Sequence, residues 1–136
     1  MLTDFTHIKK ILVDCQVIAV VGLSPKASRP SNQVATYLQE KGYTVIPVNP
    51  GQTEILGQTC YPDLLAIPAK VDLVNIFRKS EDVEPVVADA VKIQARAVWM
   101  QQGIVNQKAA EVAREAGIAV VMDRCIKVDH QNLITG

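Results

Sequence analysis

The chain's first stretch with the residue types for chemistry is Gly22-Leu23-Ser24-Pro25-Lys26-Ala27-Ser28-Arg29-Pro30-Ser31. It leaves the apolar run Val17–Val21 and enters a segment of helical period. The free N–H groups at that helix start face the loop and favour an anion. No Asp or Glu occurs from Cys15 to Gln39, while Lys26 and Arg29 fall inside the loop. A second acid-free stretch runs from Leu73 to Ser80, where Arg78 and Lys79 follow Phe77. A lysine point charge and an arginine fork together suit a ligand with more than one phosphate. The competing reading is that all four are solvated loop charges.

Missing residues narrow the chemistry further. A dinucleotide fingerprint needs G-x-G-x-x-G, and here Gly22 is followed by Ser24 and Ala27. The acid that would hold an NAD ribose is replaced by Val48-Asn49-Pro50, and no G-K-[ST] occurs. Asn49-Pro50-Gly51 is turn chemistry in its own right, and such a turn also brings backbone close to a ligand.

Thiols and imidazoles are sparse. Cys15, Cys60 and Cys125 form no C-x-x-C, which removes support for a zinc ribbon or a dithiol motif. Cys125, in Asp123-Arg124-Cys125, is a candidate nucleophile or partner for a ligand thiol. Against that, free cysteine is commonly a small buried hydrophobe. Cys125, Asp129 and His130 lack a fourth ligand, so a packed tail is the better expectation than a metal. His7 is expected to face solvent, and Trp99 to serve as strand core.

Five apolar runs must position these groups: Val17–Val21, Tyr43–Val48, Val71–Phe77, Ala97–Met100 and Ile118–Met122. Each is nearly continuous, as in strands buried on both faces of a parallel sheet. Helical stripes lie between them: Val34, Tyr37, Leu38 and Lys41, ended by Gly42; Val83, Val86, Val87, Ala90 and Val91; and Ala109, Val112, Ala113 and Ala116, ended by Gly117. Thr3 is a candidate cap for an opening helix with the stripe Phe5, Ile8, Ile11 and Leu12. The connection Gly51–Lys70 carries Pro62 and Pro68 and reads as loop with one short turn near Asp63–Ala66.

This order predicts an α/β fold: one Rossmann-like domain over 1–136 with a five-stranded parallel sheet, order 3-2-1-4-5, and helices on both faces. Residues 1–13 form the N-terminal helix; the tail 123–136 packs on the sheet through Ile126, Val128 and Leu133. The ligand crevice is expected where strand order reverses, between strands one and four.

Composition supplies the outer bounds. The chain has 136 residues, 49% hydrophobic and 21% charged, an ordinary single-domain balance. Fourteen Lys+Arg against fourteen Asp+Glu give zero net charge, which excludes the broad basic face of a general nucleic-acid binder. The opening residues lack a basic region followed by an apolar run, and no run is long enough to cross a bilayer. A cytoplasmic protein without membrane or nucleic-acid partners is expected.

Five short motifs in order complete the reading: Val20-Val21-Gly22-Leu23-Ser24, Pro47-Val48-Asn49-Pro50, Ile55-Leu56-Gly57, Trp99-Met100-Gln101 and Met122-Asp123-Arg124-Cys125. From about Asp14 to His130 the chain resembles the small CoA-binding proteins, which are similar to the N-terminal CoA-binding domain of the succinyl-CoA synthetase alpha subunit. The resemblance implies coenzyme A across the carboxyl edge of the sheet. Gly22, Leu23 and Ser24 would approach the nucleotide end, their backbone N–H groups helping to hold phosphate, and Lys26 and Arg29 would meet the phosphates; Pro25 of the same loop is a further candidate binding residue. Asn49 and Pro50 would line the adenosine side. Phe77 and Arg78 would form the next wall, with Lys79 a candidate from its charge alone; Met100, Gln101 and Gly103 would lie towards the pantetheine arm. The synthetase carries its phosphorylatable histidine in a further domain, and neither His7 nor His130 has a matching context.

What transfers is therefore a binding site for CoA or acyl-CoA, without evident catalytic residues. The alternatives are a nucleotide-dependent oxidoreductase of NAD(P) type and an accessory part of an acyl-CoA ligase. The opening helix and the tail offer a surface for a homo-oligomer, and a ligase is the other expected partner. A mixed disulfide between Cys125 and the CoA thiol is a further expectation from position alone.

Overall fold

Val17–Val21 becomes the pivot of the sheet because its residues are buried on both faces, as a continuous Val/Ile/Ala run predicts. The computed structural model describes residues 5–134. In chain order the elements are α1 (Phe5–Asp14), β1 (Val17–Val21), α2 (Pro30–Glu40) and β2 (Thr44–Val48). Next come a small hairpin, β3 (Glu54–Ile55) and β4 (Gln58–Thr59), then β5 (Leu73–Ile76) and α3 (Val83–Lys92). The chain ends with β6 (Ala97–Met100), α4 (Gln107–Glu115), β7 (Ala119–Val121) and α5 (Ile126–Leu133).

All pairings in the main sheet are parallel, in the order β2-β1-β5-β6-β7. The five parallel strands agree with the sequence reading; their predicted order 3-2-1-4-5 does not. The run at 71–77 was expected beside the second strand. It pairs instead on the far side of β1, with Ile18 opposite Leu73. The place beside β2 is taken by a single parallel bridge between Val48 and Tyr61. There Tyr61 N–H donates to the Pro47 carbonyl at 3.1 Å, and Asn49 N–H to the Tyr61 carbonyl at 2.9 Å. One residue between Cys60 and Pro62 is too short to show as an apolar run. The reversal of order therefore falls between β1 and β5.

Alternation along the strands builds two cores. Ile18, Val20, Leu73 and Trp99 pack with Leu12, Leu38 and Ile126 from α1, α2 and α5. Ala19, Val21, Val74 and Met100 pack with Val87 and Ala113 from α3 and α4. Each fully buried Val, Leu or Ile contributes about 1.5–3 kcal/mol relative to an exposed one. The helix boundaries follow local rules. Pro30 opens α2, where its missing N–H costs nothing. Asn106 caps α4 by accepting from Ala109 N–H at 2.9 Å. Gly42, at φ +94°, turns the chain out of α2.

Several residues depart from expectation. Phe5 (49% exposed) and Val112 (44%) of the stripes and Val128 (46%) of the tail lie at the solvent edge of their helices, and the stripe residues Lys41 and Ala116 are exposed just past α2 and α4. The Arg124 guanidinium lies 5.3 Å from the Phe5 ring centroid. The tail folds as α5, which packs against α1 and α2, with Ile126 fully buried and Leu133 at the margin of the core. Thr3 lies outside the described residues. Within the connection Gly51–Lys70, which its sequence predicts to be loop, lies the hairpin β3–β4, turning at Leu56 (φ +54°) and Gly57 (φ +75°). Among the described residues no helix is long and apolar enough to cross a membrane.

Candidate functional site

The switch point is narrow because of two backbones. Gly22 leaves β1 at φ +87°, and the Phe77 carbonyl at the end of β5 occupies the space that a side chain on residue 22 would need. Gly22 N–H donates to the Val48 carbonyl at 2.8 Å, and Phe77 N–H to the Val21 carbonyl at 2.8 Å. Loops after β1, β2 and β5 are thus joined at one point.

The loop after β1 is held by Ser31, the last residue of the predicted loop, and by Asn32, which the sequence does not single out. Ser31 and Asn32, in the first turn of α2, are buried at 6% and 5% exposure. The Ser31 hydroxyl accepts from Ser24 N–H at 3.0 Å, and the Asn32 amide donates to the Ser24 carbonyl at 2.9 Å. Lys26 N–H donates to the Ser24 hydroxyl at 3.1 Å. Their signal was available as Ser and Asn at a helix start, where short polar side chains tie loop to helix.

A concavity of about 340 Å³ results, lined by Gly22, Ser24, Lys26, Arg29, Pro30 and Phe77. Lys26 and Arg29 are exposed. Among the described residues neither they nor Arg78 and Lys79 join an ion pair. Pro30 and Phe77 also line a neighbouring cleft of about 520 Å³, so the two form one groove. Pro30, Val34, Ile104 and Phe77 give the second cleft its apolar surface; Gln33, Gln101, Gln102, Cys125 and Lys127 supply its polar groups. These volumes match small-molecule sites, which run to ~300–1,000 Å³.

The remaining predicted residues divide by role. Leu23 is fully buried, and its carbonyl accepts from the Asn49 amide at 3.0 Å. The Asn49 side-chain oxygen accepts from Gly51 N–H at 2.9 Å, which closes the turn through exposed Pro50. Both polar ends of Asn49 are therefore spent on the fold. Met100 is fully buried among the α3 and α4 core residues, so its side chain does not face the groove. Pro25 is exposed on the loop; Arg78 is half-buried and Lys79 exposed, and neither borders the two concavities. Gly103 N–H donates to the Asp123 carboxylate at 2.7 Å, which joins the loops after β6 and β7. Asp123 itself sits in left-handed backbone, φ +61°.

Trp99 and His130 are structural. The Trp99 indole donates to the Arg124 carbonyl at 2.8 Å from a fully buried position. His130, 3% exposed, shares a 2.7 Å hydrogen bond with the Tyr37 hydroxyl, and both Tyr37 and Tyr43 meet its ring edge-on. Burial pushes its pKa down, and nearby Lys41 pushes in the same direction. Asp129 is gripped by both Nε and a terminal nitrogen of Arg124, at 2.7 and 2.8 Å. The Asp129 and His130 side chains are thus committed to protein partners. His7 lies on an exposed position of α1.

An anion-favouring loop opening into an apolar cleft can bind a ligand that is charged at one end and less polar along the other. Residues 16–131 match the family model described as CoA binding domain. The uncharacterized protein YneT of Bacillus subtilis (strain 168) is 43% identical over 124 residues, spanning 91% of this chain and 92% of that protein. Acetate–CoA ligase [ADP-forming] I of Archaeoglobus fulgidus is 32% identical over 121 residues, which is 82% of this chain but 18% of the ligase. Among solved structures, a hypothetical protein from Pyrococcus horikoshii OT3 superposes with a TM-score of 0.94 at 41% identity, covering 97% of this chain and 93% of that one. The chain is a member of the CoA binding domain family.

Proposed function

We propose that this protein binds coenzyme A or an acyl-CoA, with the ADP end at the Gly22–Ser31 loop and the pantetheine arm in the apolar cleft. The observation that carries this reading is the continuity of the groove. Its basic end holds Lys26 and Arg29, its apolar end holds Val34 and Ile104, and Phe77 and Pro30 belong to both. CoA has the same polarity, several phosphates at one end and a thiol-tipped amide chain at the other. Backbone N–H groups at the start of α2 and the two cations would meet the phosphates. Binding without turnover is the simplest function for this groove, since its polar side chains include no paired acid and base.

The NAD-type oxidoreductase reading is weaker. A ribose-binding acid belongs at the end of β2; Asn49 stands there with both side-chain ends engaged by Leu23 and Gly51. An accessory role beside an acyl-CoA ligase has support in the likeness to one-fifth of the Archaeoglobus enzyme. Calorimetric titration with CoA, ADP, NAD and NADP tests these readings. CoA is expected to bind more tightly than ADP, because ADP leaves the apolar cleft empty. NAD binding without CoA binding would overturn the proposal.

A further inference from the structure

The three free cysteines lie in different environments. Cys15 is 2% exposed, and burial pushes its thiol up to about 11. Cys60 is 6% exposed, raised by burial, and its thiol lies 3.5 Å from the Asn49 carbonyl. Cys125 is half-buried, precedes α5, makes no cap to that helix, and lines the apolar cleft.

A second polar group lines the cleft beside it. Gln101, 6% exposed, lines the same cleft. Its side-chain oxygen accepts from the Asn75 amide at 3.3 Å and from Ile126 N–H at 3.4 Å. Ile126 directly follows Cys125, so the Gln101 amide stands next to the thiol-bearing residue. With the oxygen turned to those two donors, Nε2 faces the cleft and has no partner among the described residues. Asn75, fully buried beneath, has its own side-chain oxygen unpaired. The Asn75 oxygen is the buried atom left unpaired; Nε2 keeps access to the cleft, where a ligand acceptor can reach it. A pantetheine arm provides amide carbonyls that Nε2 can hold and ends in sulfur.

Resting on the CoA reading, we propose that Cys125 is a site of thiol–disulfide exchange with CoA-containing disulfides bound in the groove. The Cys125 thiol gives its proton to solvent, and its sulfur attacks the CoA sulfur of the bound disulfide. The old S–S bond breaks as the Cys125–CoA bond forms, and the departing thiolate takes up a proton. One disulfide is exchanged for another, so no further oxidant is required. A second thiol reverses the step and frees Cys125. Gln101 positions the arm and does not react.

The test uses the full chain, without reductant, incubated with CoA disulfide and followed by intact mass and peptide mapping. One CoA adduct is expected, on the Cys125 peptide, removable by dithiothreitol and absent from Cys125→Ser. Groove binding raises the local concentration of the disulfide, so adduct formation is expected about tenfold faster than with glutathione disulfide at equal micromolar concentration. Desulfo-CoA should slow it. Gln101→Glu, which removes the donor at constant size, should slow exchange with CoA disulfide more than with glutathione disulfide.

Calorimetry with desulfo-CoA on the wild type and Cys125→Ser separates the two readings. Binding of desulfo-CoA with no Cys125 adduct overturns the exchange proposal and leaves the binding reading standing. Equal rates with both disulfides, unaffected by desulfo-CoA, overturn it too, since Cys125 would then be an ordinary accessible thiol. Failure of desulfo-CoA to bind the wild type removes both.

Discussion

The backbone carbonyl of Phe77 occupies the position that a side chain on Gly22 would fill. Residue 22 must therefore be glycine for β1 and β5 to end side by side, and the positive φ adds a second reason. Gly22→Ala is expected to cost at least about 3 kcal/mol, from combined strain and collision. Gly42→Ala is the matched comparison: φ is +94° there, but the space is open. Its cost should be about 1 kcal/mol. Urea denaturation of the two variants measures the difference, and equal losses would refute the steric account.

Lys26 and Arg29 are exposed and unpaired among the described residues, so their contribution to an anionic ligand is screened by salt. Lys26→Ala or Arg29→Ala should each weaken CoA about fivefold at low ionic strength, with little loss remaining near 1 M salt. Arg29→Lys should recover only part of the loss, because the fork geometry goes with the guanidinium. Titrations at two salt concentrations decide the matter. A salt-independent loss would point to a disturbed loop instead.

Arg124 and Asp129 lock α5 in place, and with it Cys125. Asp129 is 3% exposed and takes two hydrogen bonds from one guanidinium, which raises the Arg124 pKa through that side-chain contact. Arg124→Ala strands the carboxylate and should cost about 3 kcal/mol. The double variant Arg124→Ala with Asp129→Ala should be less damaging than the single Arg124→Ala. Thermal melts of the four proteins complete the cycle; strict additivity would deny the coupling.

His130 gives stability a pH dependence of known sign. Its folded pKa lies below the ordinary 6.5, chiefly because burial disfavours the imidazolium. The folded state thus binds fewer protons than the unfolded chain. The contribution is full above 6.5 and is lost as the pH falls from there through the folded value. Melting temperature should drop as the pH falls below 6.5, and the His130→Gln variant should show a shallower drop. An identical slope in the variant would assign the acid sensitivity elsewhere.

Strands and helices were legible because continuous apolar runs and 3.6-residue stripes are local signals. The basic loop was legible as well, since Lys26 and Arg29 stand in a stretch without acids. Strand order was not, because it turned on Tyr61, a single bridging residue between a cysteine and a proline. The apolar half of the groove was only partly visible. Val34, Ile104 and Lys127 come from three separate segments, and no spacing links them. Met100 stands in a ligand motif by its place in sequence, yet its side chain fills the core. Asn49 reads as a binding residue in sequence; in space it is the clasp between two loops.

The pairing of β1 with β5 joins residues about 55 positions apart, as in the contact between Val17 N–H and the Asp72 carboxylate. Both walls of the crevice, Gly22 and Phe77, depend on that closure. A chain that has not yet completed it possesses no groove at all. Occupancy then acts as a thermodynamic latch on this non-local closure: a ligand at about a hundredfold its Kd adds about 2.7 kcal/mol to the native state and nothing to the unfolded one. Resistance to proteolysis would then rise with the concentration of free ligand, with no change in any contact of the native chain.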